Sequence, residues 1–373
     1  MPKKIYIIAG EASGDFLGSQ LIKAIKEKEP ETVVFGIGGD LMIAKGFTSL
    51  FPMEELSIMG IAEVAPKIPQ MIKRINQTVS DIAAKKPDVL ITIDAPDFSF
   101  RIQQKIKKHE HVNVKQVHYV APTVWAWRAG RAKKIAKFLD AIICLFPFEP
   151  PYFEKVGLNA IAVGHPVMET DVMTAKPLGL NDSQKLGVFF GSRHGEIKRI
   201  SPVIIESIER IIEHKPDLEL IIPTLPRLKN TVKALLNDIN IPYHIVTDKN
   251  QKWSAFKSCN AAIAVSGTIG LELSVADVPH LITYKANWLT YQLLKRIVKT
   301  KYAHLTNIIL QREVVPEYIQ SDSTAKNISN KAIELLENSS SRDTQLAGFD
   351  AMRKKIGQSQ KPSCSAAEFI LNL

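Results

Sequence analysis

The 373-residue chain has few cysteines, no long apolar run and none of the common phosphate-loop motifs. Its three cysteines, Cys144, Cys259 and Cys364, are far apart and form no C-x-x-C pair. This excludes a disulfide framework and a cysteine-rich zinc site, so a reducing cytosol is the expected compartment. The apolar stretch at 141–148 is far shorter than the roughly 18 residues of a membrane-spanning helix. We therefore expect a protein that is soluble, or that touches a membrane without crossing it.

Acidic residues are scarce in two segments of this chain, whose formal net charge is +10. Residues 101–137 hold ten Lys or Arg against one acid, and residues 285–301 hold five and no acid. In 285–301 the charges alternate with apolar side chains, as in a helix lying on an anionic membrane surface. A solvated helix with its apolar side in the core explains the same pattern. No helix-turn-helix, RNP or zinc-finger pattern supports a nucleic-acid partner.

Short apolar runs alternate with helix-period segments through most of the sequence. The predicted strands are 5–10, 33–38, 89–94, 114–121, 141–146 and 160–163, then 186–190, 218–223, 241–247, 261–265 and 280–284. The predicted helices are 15–28, 67–85, 98–109, 196–214, 228–238 and 323–338. Apolar strands separated by helices indicate parallel sheets covered on both faces. We predict two doubly wound α/β domains.

The domain boundary is placed at the Pro- and Asp-containing segment 164–185, which lacks a clear period. This gives a first domain at 1–166 and a second at 167–341. A helical tail follows at 342–373, and in folds of this kind such a tail often packs back across the domain junction. Two domains of this class facing one another leave a central cleft at the carboxyl ends of both sheets, where ligands bind.

Two acidic segments follow strands in the first half. The loop 10–15 reads Gly-Glu-Ala-Ser-Gly-Asp, and its two carboxylates would repel a phosphate. Asp94 ends the uncharged run 89–93, where a general base would lie, although it could equally pin its loop. Asp97 is predicted to cap the helix that follows. After the next strand, His118 and two tryptophans could line a sugar or lipid pocket or belong to the core.

In the second half, the residues Gly191, Ser192 and Arg193 lie between a strand and a long helix. Gly191 allows a sharp turn, Ser192 can cap the helix, and Arg193 offers a planar fork for a phosphate. An ordinary capped turn with a surface arginine is the alternative. The position of this turn favours a phosphate site.

A similar turn follows the strand at 261–265. Ser266, Gly267 and Thr268 make a turn and a helix start, and Glu272 lies four residues beyond Thr268 on the same face. A carboxylate there can accept hydrogen bonds from the hydroxyls of a ribose. Alternatively, it favours the helix N-terminus through the dipole. With the Arg193 turn, it predicts a nucleotide diphosphate in the second domain.

Seven segments, spread over nearly the whole chain, resemble the bacterial lipid-A-disaccharide synthase family in the same order. They are GEASGD (10–15), EELSIMGIAEV (54–64), IDAPDF (93–98), HYVAPTVWAWR (118–128), GSR (191–193), SGTIGLE (266–272) and REVVPE (312–317). The resemblance implies a GT-B glycosyltransferase that inverts the configuration of the sugar and needs neither a metal nor a cofactor. A UDP-sugar epimerase of the same fold, or a non-enzymatic basic protein that binds lipid or nucleic acid, would be the alternatives.

The same resemblance implies the substrates and the location. The donor would be UDP-2,3-diacylglucosamine and the acceptor 2,3-diacylglucosamine 1-phosphate, giving a β-1,6-linked disaccharide phosphate and UDP. Both substrates carry acyl chains, so the enzyme would work as a peripheral protein on the cytoplasmic face of the inner membrane. This favours the membrane interpretation of residues 285–301.

Matched residue by residue, the resemblance makes Asp94 the candidate base and Arg193 the diphosphate contact. It makes Glu272 the carboxylate of the nucleotide-binding segment, and it places Glu11 and Ser13 in the loop on the acceptor side. It also makes Asn307 an acceptor-binding residue. The chain departs from the family pattern at four positions, where Pro or Asp is usual: Glu169, Phe190, Lys301 and Thr306. None of these four carries assigned chemistry.

Overall fold

A computed structural model describes residues 2–56, 61–109, 111–127, 130–265, 267–287, 291–292, 298, 300–357 and 360–373, without the side chains of 61–68. The chain divides into two compact units. The first contains residues 1–166 and 356–373, and the second contains residues 167–355.

The first unit is built on a seven-stranded parallel sheet in the order β3-β2-β1-β4-β5-β6-β7. Its strands are β1 (Lys4–Ala9), β2 (Val33–Ile37), β3 (Thr48–Ser49), β4 (Val89–Ile93), β5 (Lys115–Tyr119), β6 (Ala141–Cys144) and β7 (Asn159–Ala162). Its helices are α1 (Ala12–Lys28), α2 (Asp40–Ile43), α3 (Ile61–Lys85), α4 (Pro96–Lys107), α5 (Gly130–Ile135) and α6 (Pro150–Glu154).

The central strands of this sheet are buried on both faces. In β1, Ile5, Tyr6, Ile7 and Ile8 have no exposed surface, which explains why its sequence is continuously apolar. Ala9 of β1 pairs with Ile93 of β4, and Ile93 pairs with Tyr119 of β5. The residues that follow these three strands therefore emerge side by side at one edge of the sheet.

The second unit is built on a six-stranded parallel sheet in the order β10-β9-β8-β11-β12-β13. Its strands are β8 (Lys185–Phe189), β9 (Glu219–Pro223), β10 (Tyr243–Val246), β11 (Ala261–Val265), β12 (His280–Tyr284) and β13 (Glu317–Ile319). Its helices are α7 (His194–His214), α8 (Lys229–Leu235), α9 (Lys252–Lys257), α10 (Thr268–Val275), α11 (Leu305–Leu310), α12 (Ala325–Glu337) and α13 (Ser339–Ile356).

The segment treated as one tail in the sequence, 342–373, is divided between the units at residue 356. The last helix, α14 (Pro362–Leu371), belongs to the first unit and packs on α1. Lys3 Nζ donates a hydrogen bond to Leu371 O at 2.7 Å, and Ala366, Ala367 and Ile370 are fully buried.

The predicted fold class of two doubly wound α/β units is confirmed, since all strand pairs described are parallel and helices separate nearly all the strands. The short strands β3 and β13 and the short helices α2, α5, α6, α9 and α11 were not predicted. Each has seven residues or fewer, too few to show a hydrophobic period in the sequence.

Candidate active site

The turns after β1 and β4 pack closely against each other. A Cβ atom built on Gly10 would lie 2.9 Å from Cβ of Ala95, so only glycine fits there. Asp94 and Ala95 both adopt left-handed backbone conformations, with φ of 53° and 43°. Such conformations are costly for residues with a Cβ and concentrate at functional sites.

Asp94 is half-buried, and hydrogen bonds of its main-chain N–H and carbonyl groups hold it in place. Its N–H donates to Tyr119 O at 3.0 Å, and its carbonyl accepts a hydrogen bond from Ser99 Oγ at 2.9 Å. Ser13 Oγ, at the start of α1, donates to Asp94 Oδ2 at 3.4 Å. Two predicted site residues, Ser13 and Asp94, are therefore brought together, and the carboxylate is held at the edge of the sheet by the main chain.

The two acids of the opening loop differ in environment. Glu11 is exposed and lies directly before α1. Asp15 is buried and accepts N–H bonds from Gly39, Leu41 and Met42 at 2.9 to 3.1 Å. Asp15 therefore fixes the start of α2, which leaves Glu11 and Ser13 as the loop's exposed polar side chains.

His118, the competing candidate for a base, is fully buried in β5. Its Nδ1 lies 2.7 Å from Thr92 Oγ1, and its ring packs against Phe100 at 4.5 Å. Burial, with the nearby positive charge of Arg131, lowers its pKa to about 3. A neutral and inaccessible imidazole does not fit the role of a base for a bound hydroxyl.

A buried carboxylate that the sequence did not single out, Glu149, joins the turns after β5 and β6. It accepts hydrogen bonds from Trp125 Nε1 at 3.0 Å and from the backbone N–H groups of Leu145 and Phe146 at 3.0 and 2.9 Å. Burial outweighs these bonds and raises its pKa to about 7. Trp125 also meets Phe148 edge-on at 5.2 Å. Glu149 thus sets the orientation of Trp125 at the same sheet edge as Asp94.

Replacing Glu149 with Gln is expected to change how stability depends on pH. The raised pKa means that the folded state binds a proton more strongly than the unfolded state. Wild-type stability should therefore fall, relative to the Gln variant, by about 3 kcal/mol as pH rises from the ordinary pKa of 4.5 to about 7. Urea unfolding of both proteins across this range measures the difference. Glu154→Gln, an exposed change at the end of the short helix α6 that Glu149 precedes, is the control. Parallel stability curves for Glu149→Gln and wild type would rule out a buried titrating carboxyl.

In the second unit, the turn between β8 and α7 contains Gly191 with φ of 99°. A Cβ there would overlap Glu196 Oε2, an oxygen that accepts the N–H of Ser192 at 3.2 Å. The predicted Ser192 cap is wrong. The residue that precedes α7 is Arg193. Glu196, in the first turn of the helix, accepts the N–H of Ser192 with its side chain.

Arg193 is exposed at the start of α7, in extended backbone. The first N–H groups of a helix have no partner within it, so this end attracts an anion. Arg227, which follows β9, donates from Nη2 to Ser192 O at 2.9 Å. The sequence did not identify Arg227, although it follows a strand end next to β8. Two arginines therefore lie at this turn.

Glu272 lies in α10, whose first turn contains Thr268 and follows Gly267, with φ of 153°. Lys252 Nζ donates to Glu272 Oε1 at 2.6 Å and lies 4.6 Å from the centre of the Trp253 ring. The sequence could not pair these residues, which are separated by 20 positions. Ser266 lies outside the described residues, as do Arg128 and most of the basic segment 285–301.

Asn307 is fully buried in α11. Its Oδ1 accepts the N–H groups of Val314 and Val315 at 2.8 and 2.9 Å, and its Nδ2 donates to Val315 O and to Glu317 Oε1 at 2.7 and 2.8 Å. These four bonds use the whole capacity of the amide. The acceptor contact of Asn307 stays a prediction, and in this structure the side chain fixes the turn before β13.

The profile of a family described as lipid-A-disaccharide synthetase matches residues 5–371. The chain belongs to the lipid-A-disaccharide synthase family. A family member from Rhodospirillum centenum is 40% identical over 381 residues, covering 100% of this chain and 95% of the relative. One from Rickettsia bellii is 40% identical over 364 residues, covering 95% and 94%.

Solved structures with this fold include an epimerase and a glycotransferase. A UDP-N-acetylglucosamine 2-epimerase from Neisseria meningitidis bound to UDP-GlcNAc superimposes with a TM-score of 0.66 at 12% identity, covering 99% of this chain and 98% of that one. A glycotransferase of kitacinnamycin has a TM-score of 0.65 at 12% identity, covering 100% and 99%. At such identities the likeness shows the fold alone.

Membership of the lipid-A-disaccharide synthase family confirms the resemblance found in the sequence. It also confirms the predicted activity and enzyme class, which is a glycosyltransferase of lipid A biosynthesis. Within the described part of the chain, no helix is long and apolar enough to cross a membrane. No three metal-ligating side chains come together among the described residues, and metal-independent transfer stays a prediction.

Proposed function

We propose that this lipid-A-disaccharide synthase transfers 2,3-diacylglucosamine from its UDP derivative to the 6-hydroxyl of 2,3-diacylglucosamine 1-phosphate, with inversion. The observation that carries this proposal is Asp94, a half-buried carboxylate held on a left-handed turn and bonded by Ser13. A single displacement needs such a base, because a sugar hydroxyl is a poor nucleophile until its proton is removed.

In the proposed step, the proton of the 6-hydroxyl moves to the Asp94 carboxylate. The freed electron pair of the oxygen forms a bond to C1 of the donor sugar. The bond from C1 to the diphosphate oxygen breaks, and its electron pair leaves with UDP. Ser13 orients the carboxylate through its hydrogen bond. Glu11, exposed in the same loop, would bind a hydroxyl or amide of the acylated acceptor.

The second unit would hold the nucleotide. The charge that develops on the departing diphosphate would be stabilised by the Arg193 guanidinium and by the positive end of the α7 dipole. The N–H groups at Gly267 and Thr268 offer a second such helix start. Glu272, which Lys252 orients through its hydrogen bond, would accept hydrogen bonds from the ribose hydroxyls. Ser266 and Ser192 are the remaining proposed contacts.

The proposed location is the cytoplasmic face of the inner membrane, with peripheral attachment. The support is the charge of +10, the basic segments 101–137 and 285–301, and the acyl chains of both proposed substrates. Attachment of this kind weakens as salt rises, because ions screen the attraction between surface charges and anionic lipid.

The test is incubation with detergent-dispersed UDP-2,3-diacylglucosamine, with and without the 2,3-diacylglucosamine 1-phosphate acceptor. Acceptor-dependent release of UDP together with a β-1,6-linked disaccharide phosphate is expected. Conversion of a soluble UDP-sugar to its epimer without any acceptor would instead support the epimerase, and no turnover of either kind would contradict an enzymatic role.

A further inference from the structure

A groove between α3 and α4 of the first unit combines positive charge with apolar surface. Its lining is Ile72, Ile75, Arg101, Gln104, Lys105 and Lys108. The four polar residues follow the spacing of one helix face, and Ile102 and Ile106 on the opposite side are buried. Ile72 is 51% exposed on α3. An exposed isoleucine therefore lies along a row of cations.

The three cations lack carboxylate partners among the described residues. Lys105 Nζ donates to the neutral Asn76 Oδ1 at 2.6 Å. Arg101 and Lys105 are four residues apart, so their like charges destabilise the helix rather than support it. Attraction to the helix dipole accounts for lysines at the end of α4, but not for Arg101 in its middle or for the exposed Ile72 on another helix.

We propose that this groove binds the phosphate headgroup of an anionic phospholipid in a bilayer. Arg101, Lys105 and Lys108 contact the phosphate, and Ile72 contacts the glyceryl and acyl region next to it. The pairing of charge with an exposed apolar side chain fits an amphiphile better than a soluble anion, which would gain nothing from Ile72. The proposal rests on the membrane attachment proposed above and gives it a defined location.

The test measures sedimentation with phosphatidylcholine vesicles that contain or lack phosphatidylglycerol. The variant Arg101→Gln, Lys105→Gln, Lys108→Gln is compared with a matched control, Lys133→Gln, Lys134→Gln, Lys137→Gln. The control removes the same charge from exposed positions of the same basic segment. The groove variant should bind anionic vesicles about a hundredfold more weakly than wild type, since each charge lost near such a surface costs about fivefold. The control should lose less than about fivefold.

Ile72→Ser should also weaken vesicle binding, without changing its dependence on salt. Equal losses of vesicle binding in the two triple variants would show that the protein is attracted by its overall charge. That result would contradict phospholipid binding in the groove. Unchanged binding in the groove variant would overturn it as well. Soluble glycerol 3-phosphate should not displace the vesicles, and efficient displacement would point to a soluble anion instead.

The transfer assay on detergent-dispersed substrates separates this proposal from the proposed function. Both triple variants should keep wild-type turnover there, because none of the six residues belongs to the proposed machinery. If vesicle binding follows the expected pattern but the protein shows no transferase activity, the proposal of phospholipid binding in the groove is supported and the proposed reaction is contradicted.

Discussion

Replacing Asp94 with Asn should lower turnover by roughly 10²- to 10⁴-fold, the usual contribution of a general base. The amide keeps the shape of the carboxylate but cannot accept the proton of the 6-hydroxyl. The backbone bonds that fix the turn, from Asp94 N to Tyr119 O and from Ser99 Oγ to Asp94 O, do not involve the side chain. Folding and UDP binding are therefore expected to persist, and steady-state rates with UDP-2,3-diacylglucosamine measure the loss.

A matched variant makes this result specific. Asp97→Asn changes an exposed carboxylate three positions further on and should leave turnover near the wild-type value. A folded Asp94→Asn enzyme within a few-fold of wild-type turnover, when chemistry limits the rate, would exclude Asp94 as the base.

Asp94 illustrates what can be predicted from the sequence. An uncharged run from Val89 to Ile93 that ends in an acid indicates a carboxylate at the edge of a parallel sheet, and the structure places it there. The left-handed backbone at Asp94 and Ala95 could not be predicted, because it depends on Gly10 in a neighbouring strand's turn. The pattern along one strand carries no information about contacts with another.

The predicted helix caps show the same limit. Asp97 was predicted to cap α4, and this is wrong, since Ala95 precedes the helix and Pro96 and Asp97 lie in its first turn. Ser192 likewise lies two positions before His194, the first residue of α7. Helix ends depend on backbone turns that tertiary packing selects, and they are harder to place than the helices themselves.

The site residues that the sequence analysis missed are those whose role depends on a contact with a residue far away in the sequence. Glu149 follows an apolar run in the sequence, yet its carboxylate holds the indole of Trp125, 24 positions away. Lys252 becomes informative only through its contact with Glu272. The acceptor contact of Asn307, implied by the family resemblance, stays a prediction. Its four hydrogen bonds to 314–317, which fix the chain there, could not be predicted from the sequence.

Replacing Arg193 with Ala should lower turnover by roughly 10²-fold or more, in line with the loss of one electrostatic stabiliser of the transition state. The guanidinium is exposed at the start of α7, so its removal should not disturb the core. Arg193→Lys should rescue only part of the loss, because a point charge lacks the planar fork that contacts two phosphate oxygens. The rates of UDP release by the two variants, measured with saturating acceptor, give the comparison.

The control is Arg199→Ala, which removes an exposed arginine from the same helix, about one and a half turns further along. If long-range attraction of the negatively charged donor were the main effect, both alanine variants would raise KM and lower kcat little. If Arg193 stabilises the leaving diphosphate, its loss should lower kcat, with the salt dependence of kcat/KM little changed. Near-normal kcat in Arg193→Ala, or full recovery of that variant on adding magnesium, would contradict the role proposed for Arg193. Partial activity in the Lys variant together with a low kcat in the Ala variant would show that the charge and the geometry of the guanidinium both contribute to the departure of UDP.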